Sequence, residues 1–144
     1  MINIEQKLLS RIPQGWGKYI SCREGWYPIL EDLDKKLAFL DPEYKIAQVK
    51  EKFGALRFYF DTEAGATTRS IMYDCVSAAE YKSSFTCEYC GTTATVKLRE
   101  GGWVKTLCDD CWVKKQEERT NREQALNEIV KINQEAGLYD EKFK

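Results

Sequence analysis

Cys87-Glu88-Tyr89-Cys90, and after a spacer the tetrad Cys108-Asp109-Asp110-Cys111, is the stretch on which the reading of this chain turns. The pattern is C-x2-C-x17-C-x2-C. Two residues between cysteines let both thiolates converge on one ion, with the amides of the turn close to the sulfurs. Gly91 follows the first pair and permits the tight backbone of such a knuckle. Residues 94–99 and 103–107 read as a hairpin around Gly101-Gly102, a two-residue turn signal. Its register would put Val96, Leu98 and Leu107 on one face and Lys97 and Arg99 on the other. The hairpin returns the chain to the first knuckle, and a helix starting at Asp109 places the second pair in a first turn whose dipole favours thiolate. One structural Zn²⁺ bound by Cys87, Cys90, Cys108 and Cys111 is therefore expected. Four thiolates close the site, leaving no position for water or substrate.

Two rival readings use the same cysteines. A strand, then Cys108-x-x-Cys111, then a helix also describes a thioredoxin-type redox pair, but Asp109 and Asp110 oppose thiolate formation there. That reading also leaves Cys87 and Cys90 unexplained, while an iron–sulfur cluster would use all four thiolates. Cys22 and Cys75 have no ligand spacing and read as core thiols. The order knuckle, hairpin, helix resembles a treble-clef zinc finger more than a plain zinc ribbon.

Upstream, Ser21-Cys22-Arg23-Glu24 suits a capping box, yet Pro28 lies too deep for a helix opening at Ser21. A start near Tyr27 puts that proline in the first turn, with Ile29, Leu30, Leu33, Leu37 and Leu40 on one stripe and a stop at Asp41-Pro42. Residues 44–61 read as a β-hairpin turning at Gly54, since Leu56, Phe58 and Phe60 alternate with Arg57 and Tyr59. An even loop sets Ala47 and Val49 on the apolar face and Gln48 and Lys50 opposite; an odd one would bury Lys50. Residues 67–82 suit a helix that buries Ile71, Met72, Cys75, Val76 and Ala79. Residues 1–20 are weakly patterned.

Downstream, the helix from Asp109 ends near Gly137, a C-cap residue. It has no hydrophobic residue between Lys114 and Gln124, so it is expected to project into solvent. The fold class is then α+β: helices packed on a β-hairpin, a treble-clef or zinc-ribbon-like module, and a long C-terminal helix. Residues 1–84 form the α+β domain, 85–113 the zinc module and 114–144 the projecting helix.

Composition narrows the function. Hydrophobic residues make up 43% and aromatics 12%, which excludes a disordered polymer. With 22 basic and 23 acidic residues the net charge is -1, so nucleic-acid binding would need a local patch. The first residues have neither a basic region nor an apolar core of a signal peptide, and no run reaches the roughly 18 apolar residues of a membrane span. A cytoplasmic protein without membrane contact is expected. There are no histidines, which removes histidine-dependent nucleases and nucleophile triads. No phosphate-binding glycine loop occurs. Glu51 and Asp61 remain as formal acid–base candidates, although surface carboxylates are usually only solvated. An enzyme is not expected.

Two binding surfaces stand out. Leu126, Ile129, Val130 and Ile132 return after the polar segment as a stripe that wants a partner protein or a second copy, giving a symmetric dimer. Trp103, beside the glycine pair, could fill a partner's pocket or stack on a base. The alternative surface is basic: Lys50, Lys52, Arg57 and Tyr59 on the first hairpin, Lys97 and Arg99 on the second.

The run Val49-Lys50-Glu51-Lys52-Phe53-Gly54-Ala55-Leu56-Arg57-Phe58-Tyr59 resembles a signature of a functionally uncharacterised group of small bacteriophage and prophage proteins. So do Gly25-Trp26-Tyr27-Pro28 before it and Gly102-Trp103 to Thr106-Leu107-Cys108 after it, in the same order over residues 25–111. Ala55 stands where that signature has a second glycine. The resemblance implies a viral origin and transfers no active site. Together these readings predict a non-enzymatic, zinc-stabilised interaction protein, a phage factor that binds and modulates a host protein such as a defence system in the host cytoplasm. The alternative is a nucleic-acid-binding zinc-finger protein.

Overall fold

A computed structural model describes residues 3–137 of the chain. Asn3 opens helix α1 (Ile4–Leu9) by accepting the Gln6 N–H at 2.8 Å. Leu8 of this helix and Ile12 just beyond it are buried. Strand β1 (Ile20–Ser21) follows, then a 3-10 turn over Glu24–Trp26 and helix α2 (Tyr27–Leu40). Pro28 sits in the first turn of α2, where its missing N–H costs nothing. At the other end Asp41 is extended, the conformation that the following Pro42 enforces. Ile29, Leu30, Leu33 and Leu37 are buried as the stripe predicts.

Strands β2 (Lys45–Lys52) and β3 (Ala55–Asp61) form the expected hairpin with a two-residue loop, Phe53-Gly54. Lys50 pairs with Arg57 and Val49 with Phe58, so the even-loop register is the observed one. Ala47 departs from it. A bulge between Ile46 and Gln48 inserts one extra residue, and Ile46 rather than Ala47 takes the inward position. β1 adds a third strand, parallel to β2 through Ile20 and Val49, so β2 is central. Two residues carry too little pattern for that strand to be seen in the sequence.

Helix α3 (Ala66–Ser83) packs on α2 and runs along β3. Its Ser83 hydroxyl and Glu80 carboxylate accept the N–H groups of Leu56 and Phe58, each at 3.0 Å. These bonds satisfy the outer edge of β3 without another strand. Met72, Val76, Ala79 and Ser83 are the buried stripe; Cys75 is half-buried. Ile71, expected inside, is exposed, because the face turned to the sheet is set one residue further round the helix.

Strands β4 (Lys97–Arg99) and β5 (Lys105–Leu107) make the second hairpin with a different register. Lys97 pairs with Leu107 and Arg99 with Lys105, so the loop spans residues 100–104 rather than the glycine pair alone. Gly101 and Gly102 have φ of +117° and +108°, away from the roughly +60° and +90° of a type I′ turn. The one-residue slip exchanges faces: Leu107 is buried, whereas Leu98 is exposed.

Two units make up the chain, Met1–Asp109 and Asp110–Lys144. Helix α4 (Asp109–Glu135) supplies the second, and none of its residues is buried. Gly137, with φ +73°, follows its end as a left-handed cap. Residues 138–144, the end of the segment 114–144, lie outside the described residues. The architecture is α+β: helices on a β-sheet with a hairpin, a small hairpin near a four-cysteine cluster, and a long C-terminal helix. No described helix is long and apolar enough to cross a membrane.

Candidate metal centre

The first knuckle is closed by its own backbone. The Cys87 N–H donates to Thr92 O at 2.8 Å, and the Gly91 N–H to Cys87 O at 2.9 Å. Gly91 has φ +82°, a conformation that side chains disfavour. The sulfurs of Cys87, Cys90, Cys108 and Cys111 all lie within 4.8 Å of one another. Cys90 Sγ is 3.7 Å from Cys108 Sγ. A sulfur tetrahedron with metal bonds of about 2.3 Å has edges of about 3.8 Å, so this spacing suits a single ion. Cys87 and Cys108 are buried, Cys111 is half-buried and Cys90 is exposed. Burial alone would raise the Cys87 thiol, but backbone N–H groups of Cys108, Cys90 and Tyr89 face it and outweigh burial. Its pKa falls from 9.0 to about 7, which favours the thiolate that a metal requires. Four clustered cysteines could thus hold one metal ion, an arrangement consistent with a zinc-binding module.

The knuckle is anchored by residues far away in sequence. The Gly25 N–H donates to Glu88 O at 2.8 Å, and the Trp26 indole N–H to Thr86 O at 2.9 Å. A Cβ at Gly25 would stand 2.3 Å from Cys87 O, so only glycine allows this approach. Glu88 N–H donates to Thr106 O, and the Thr106 hydroxyl donates to Gly54 O. Thr106 therefore ties the knuckle, β5 and the first hairpin's turn together.

A buried ionic triad lies beside this anchor. Lys105 Nζ is 2.6 Å from Glu51 Oε1 and 3.1 Å from Glu88 Oε1. Glu51 also accepts the Gly54 N–H at 3.0 Å and the Trp103 indole N–H at 3.2 Å, and Glu88 accepts Arg23 N–H at 3.1 Å. Burial pushes the Glu51 carboxyl up, but Lys105, Gly54 and Trp103 hold it below its usual value. Burial pushes Lys105 down, yet Glu51 and Glu88 hold it above its own. Glu51, read from sequence as a surface carboxylate, is almost fully buried and engaged. Glu88 and Lys105 carried no sequence signal, since nothing in a knuckle or a short strand announces a long-range ion pair. Cys22 is also close: burial first, then the Glu88 charge, pushes its thiol up to about 12, as suits a half-buried core cysteine.

The basic residues separate into two groups. Lys50, Lys52, Arg57 and Tyr59 share one face of the first hairpin, with Lys50 Nζ 5.7 Å from the centre of the Tyr59 ring. Among the described residues, Lys50, Lys52 and Arg57 form no ion pair. Lys97 is exposed, but Arg99 is spent on structure: it donates to Leu107 O and Thr95 O and pairs with Asp109 at 2.6 Å. Trp103 is exposed at the second hairpin's loop. Leu126, Ile129, Val130 and Ile132 are all exposed on α4.

A scan against protein-family models and searches of curated proteins and solved structures return no match to this chain. Fold and site define its class by themselves: an α+β protein with a cluster of four cysteines that could hold one metal ion.

Proposed function

We propose that this chain is a non-enzymatic interaction protein whose fold is stabilised by one structural Zn²⁺ on Cys87, Cys90, Cys108 and Cys111. Four thiolates suit zinc and leave no open coordination position for chemistry. The observation that carries the interaction reading is the exposed apolar patch of Leu126, Ile129 and Val130 on one face of α4, with Ile132 exposed one turn beyond Ile129. Contiguous apolar surface of this kind marks a protein-binding site. The resemblance to small phage and prophage proteins supports a host protein as the partner, such as a defence component in the host cytoplasm.

The test is affinity capture from a host lysate treated with nuclease, with Leu126→Glu/Ile129→Glu as the matched control. A stoichiometric protein recovered by the natural chain and lost by the variant supports the reading. Identical recovery by both sinks it. Sedimentation of the purified chain separates a host partner from a homodimer through the same stripe.

A second reading, nucleic-acid binding, is favoured by Lys50, Lys52 and Arg57, which form no ion pair among the described residues. Phosphate-driven binding would weaken with salt by a log–log slope of about -0.7 per contact on a single strand or about -0.9 on duplex DNA. Absence of binding to either at low salt removes it.

A further inference from the structure

Between the tips of the two hairpins lies a cleft of about 330 Å³, lined by Glu51, Lys52, Phe53, Gly102, Trp103 and Val104. Two aromatic rings stand at its rim almost bare: Phe53 is 72% exposed and Trp103 76%. We infer that this cleft is a base-stacking site for single-stranded nucleic acid, with Phe53 and Trp103 taking unstacked bases and Lys52, Lys50 and Arg57 taking the phosphates. The inference rests on the nucleic-acid reading above and gives it a place and a ligand class.

The backbone at Phe53 is the first support. Its φ is +54° and that of Gly54 is +82°, the two positive values of a type I′ turn. Asparagine is the favoured residue at the first of these positions, and a bulky side chain there is an outlier. The Phe53 ring buries little that would offset the strain. Strain held at an exposed aromatic is a mark of function.

The second support is how Trp103 is held. Its indole N–H is bonded to Glu51, whose carboxylate is held by Lys105, the cation it shares with Glu88. The ring is thus positioned with its N–H used, and what it offers a ligand is its π face. Gly102 lines the cleft beside it without a side chain to fill the space.

Charge decides between an anionic polymer and an apolar peptide. Lys52 lies over the Phe53 ring with Nζ 5.6 Å from its centre, at the cleft itself. Lys50 is two residues back on the same face of β2, roughly 7 Å away, and pairs across the sheet with Arg57. These cations lead from the aromatic tip along the hairpin. Bases inside a duplex cannot reach the rings, because stacking platforms need single strands.

The experiment measures anisotropy of a labelled twelve-nucleotide oligodeoxythymidylate with the full metal-bound chain at low salt. Binding should exceed that of an equal-length duplex and fall with salt by a slope of about -2, one contact for each of three cations. Phe53→Asn installs the preferred turn pair, so this variant should melt no lower than the natural protein while binding about tenfold more weakly. Trp103→Ala should lose a similar factor and Trp103→Phe should restore most of it. Binding that ignores both aromatic substitutions but falls on Lys50→Ala/Lys52→Ala/Arg57→Ala overturns the stacking site and leaves nucleic-acid binding standing. Equal competition by a polyglutamate peptide also overturns it, as a general anion surface. No binding to single strand or duplex ends both.

Discussion

Gly25 and Asp34 show how single side chains, or the lack of one, hold this protein. At Gly25 the backbone of the knuckle approaches so closely that a methyl group has no room. Gly25→Ala must push Cys87 and Glu88 away, and such overpacking costs about 1–3 kcal/mol. Chemical denaturation should show that loss, and competition with a chromophoric chelator should show weaker metal binding. Asp34 is a buried carboxylate that takes hydrogen bonds from Arg11 Nε and the Tyr44 hydroxyl. Lys7 Nζ stands 3.3 Å from its other oxygen, close enough for an ion pair though without hydrogen-bond geometry. Burial raises Asp34, but Tyr44 and Arg11 more than compensate and hold it below the usual carboxylate value. Removing the carboxylate leaves Arg11 and Tyr44 without their acceptor. Asp34→Ala should therefore lose about 3–5 kcal/mol in a denaturant titration.

Elements are joined by the triad of Glu51, Lys105 and Glu88, and its pH dependence has a defined sign. Glu51 is depressed in the fold, so its contribution is present above the ordinary value of 4.5 and fades as pH falls through the folded value. Lys105 is raised, so its contribution is present below 10.5 and fades as pH rises through the folded value. Lys105→Met should invert the acid side. Glu51 would then be a buried carboxylate without a cation, and the variant should gain stability relative to the natural protein as pH falls from 7 toward 5. Thermal melts of variant and natural protein across that range check the inversion. Acid weakens thiolate–metal bonds in both, so the variant's deficit against the natural protein should shrink as pH falls, and a deficit that grows would contradict it. The stripe on α4 behaves oppositely, because its side chains are already in water. Leu126→Glu/Ile129→Glu should leave the melting temperature of the isolated chain within a few degrees of the natural value.

At the scale of the whole molecule, the proposed zinc would make metal binding and folding one equilibrium. Binding of structural zinc is worth roughly 10–16 kcal/mol in finger peptides, against about 5–15 kcal/mol for an entire domain. A chelator should therefore unfold at least residues 85–115. The effect should reach further, because Gly25 and Trp26 bond to the backbone of Glu88 and Thr86. Hydrogen exchange after chelation should lose protection at Thr106 and at the start of α2 together. Metal analysis should return one zinc per chain.

Local pattern was enough for much of this protein. The stripe of α2, the two-residue loop of the first hairpin, the extent of α4 and the convergence of four cysteines follow from periodicity and spacing, which neighbouring residues carry among themselves. Long-range geometry decided the remainder. The bulge at Ala47, the third strand, the slipped second hairpin and the turning of Ile71 outward depend on which surfaces meet across the fold. The same holds for Lys105 between two carboxylates and for Gly25 beneath the knuckle. Such contacts join residues far apart in the chain, as Arg23 joins Glu88 across 65 positions, and no short window of sequence contains both partners.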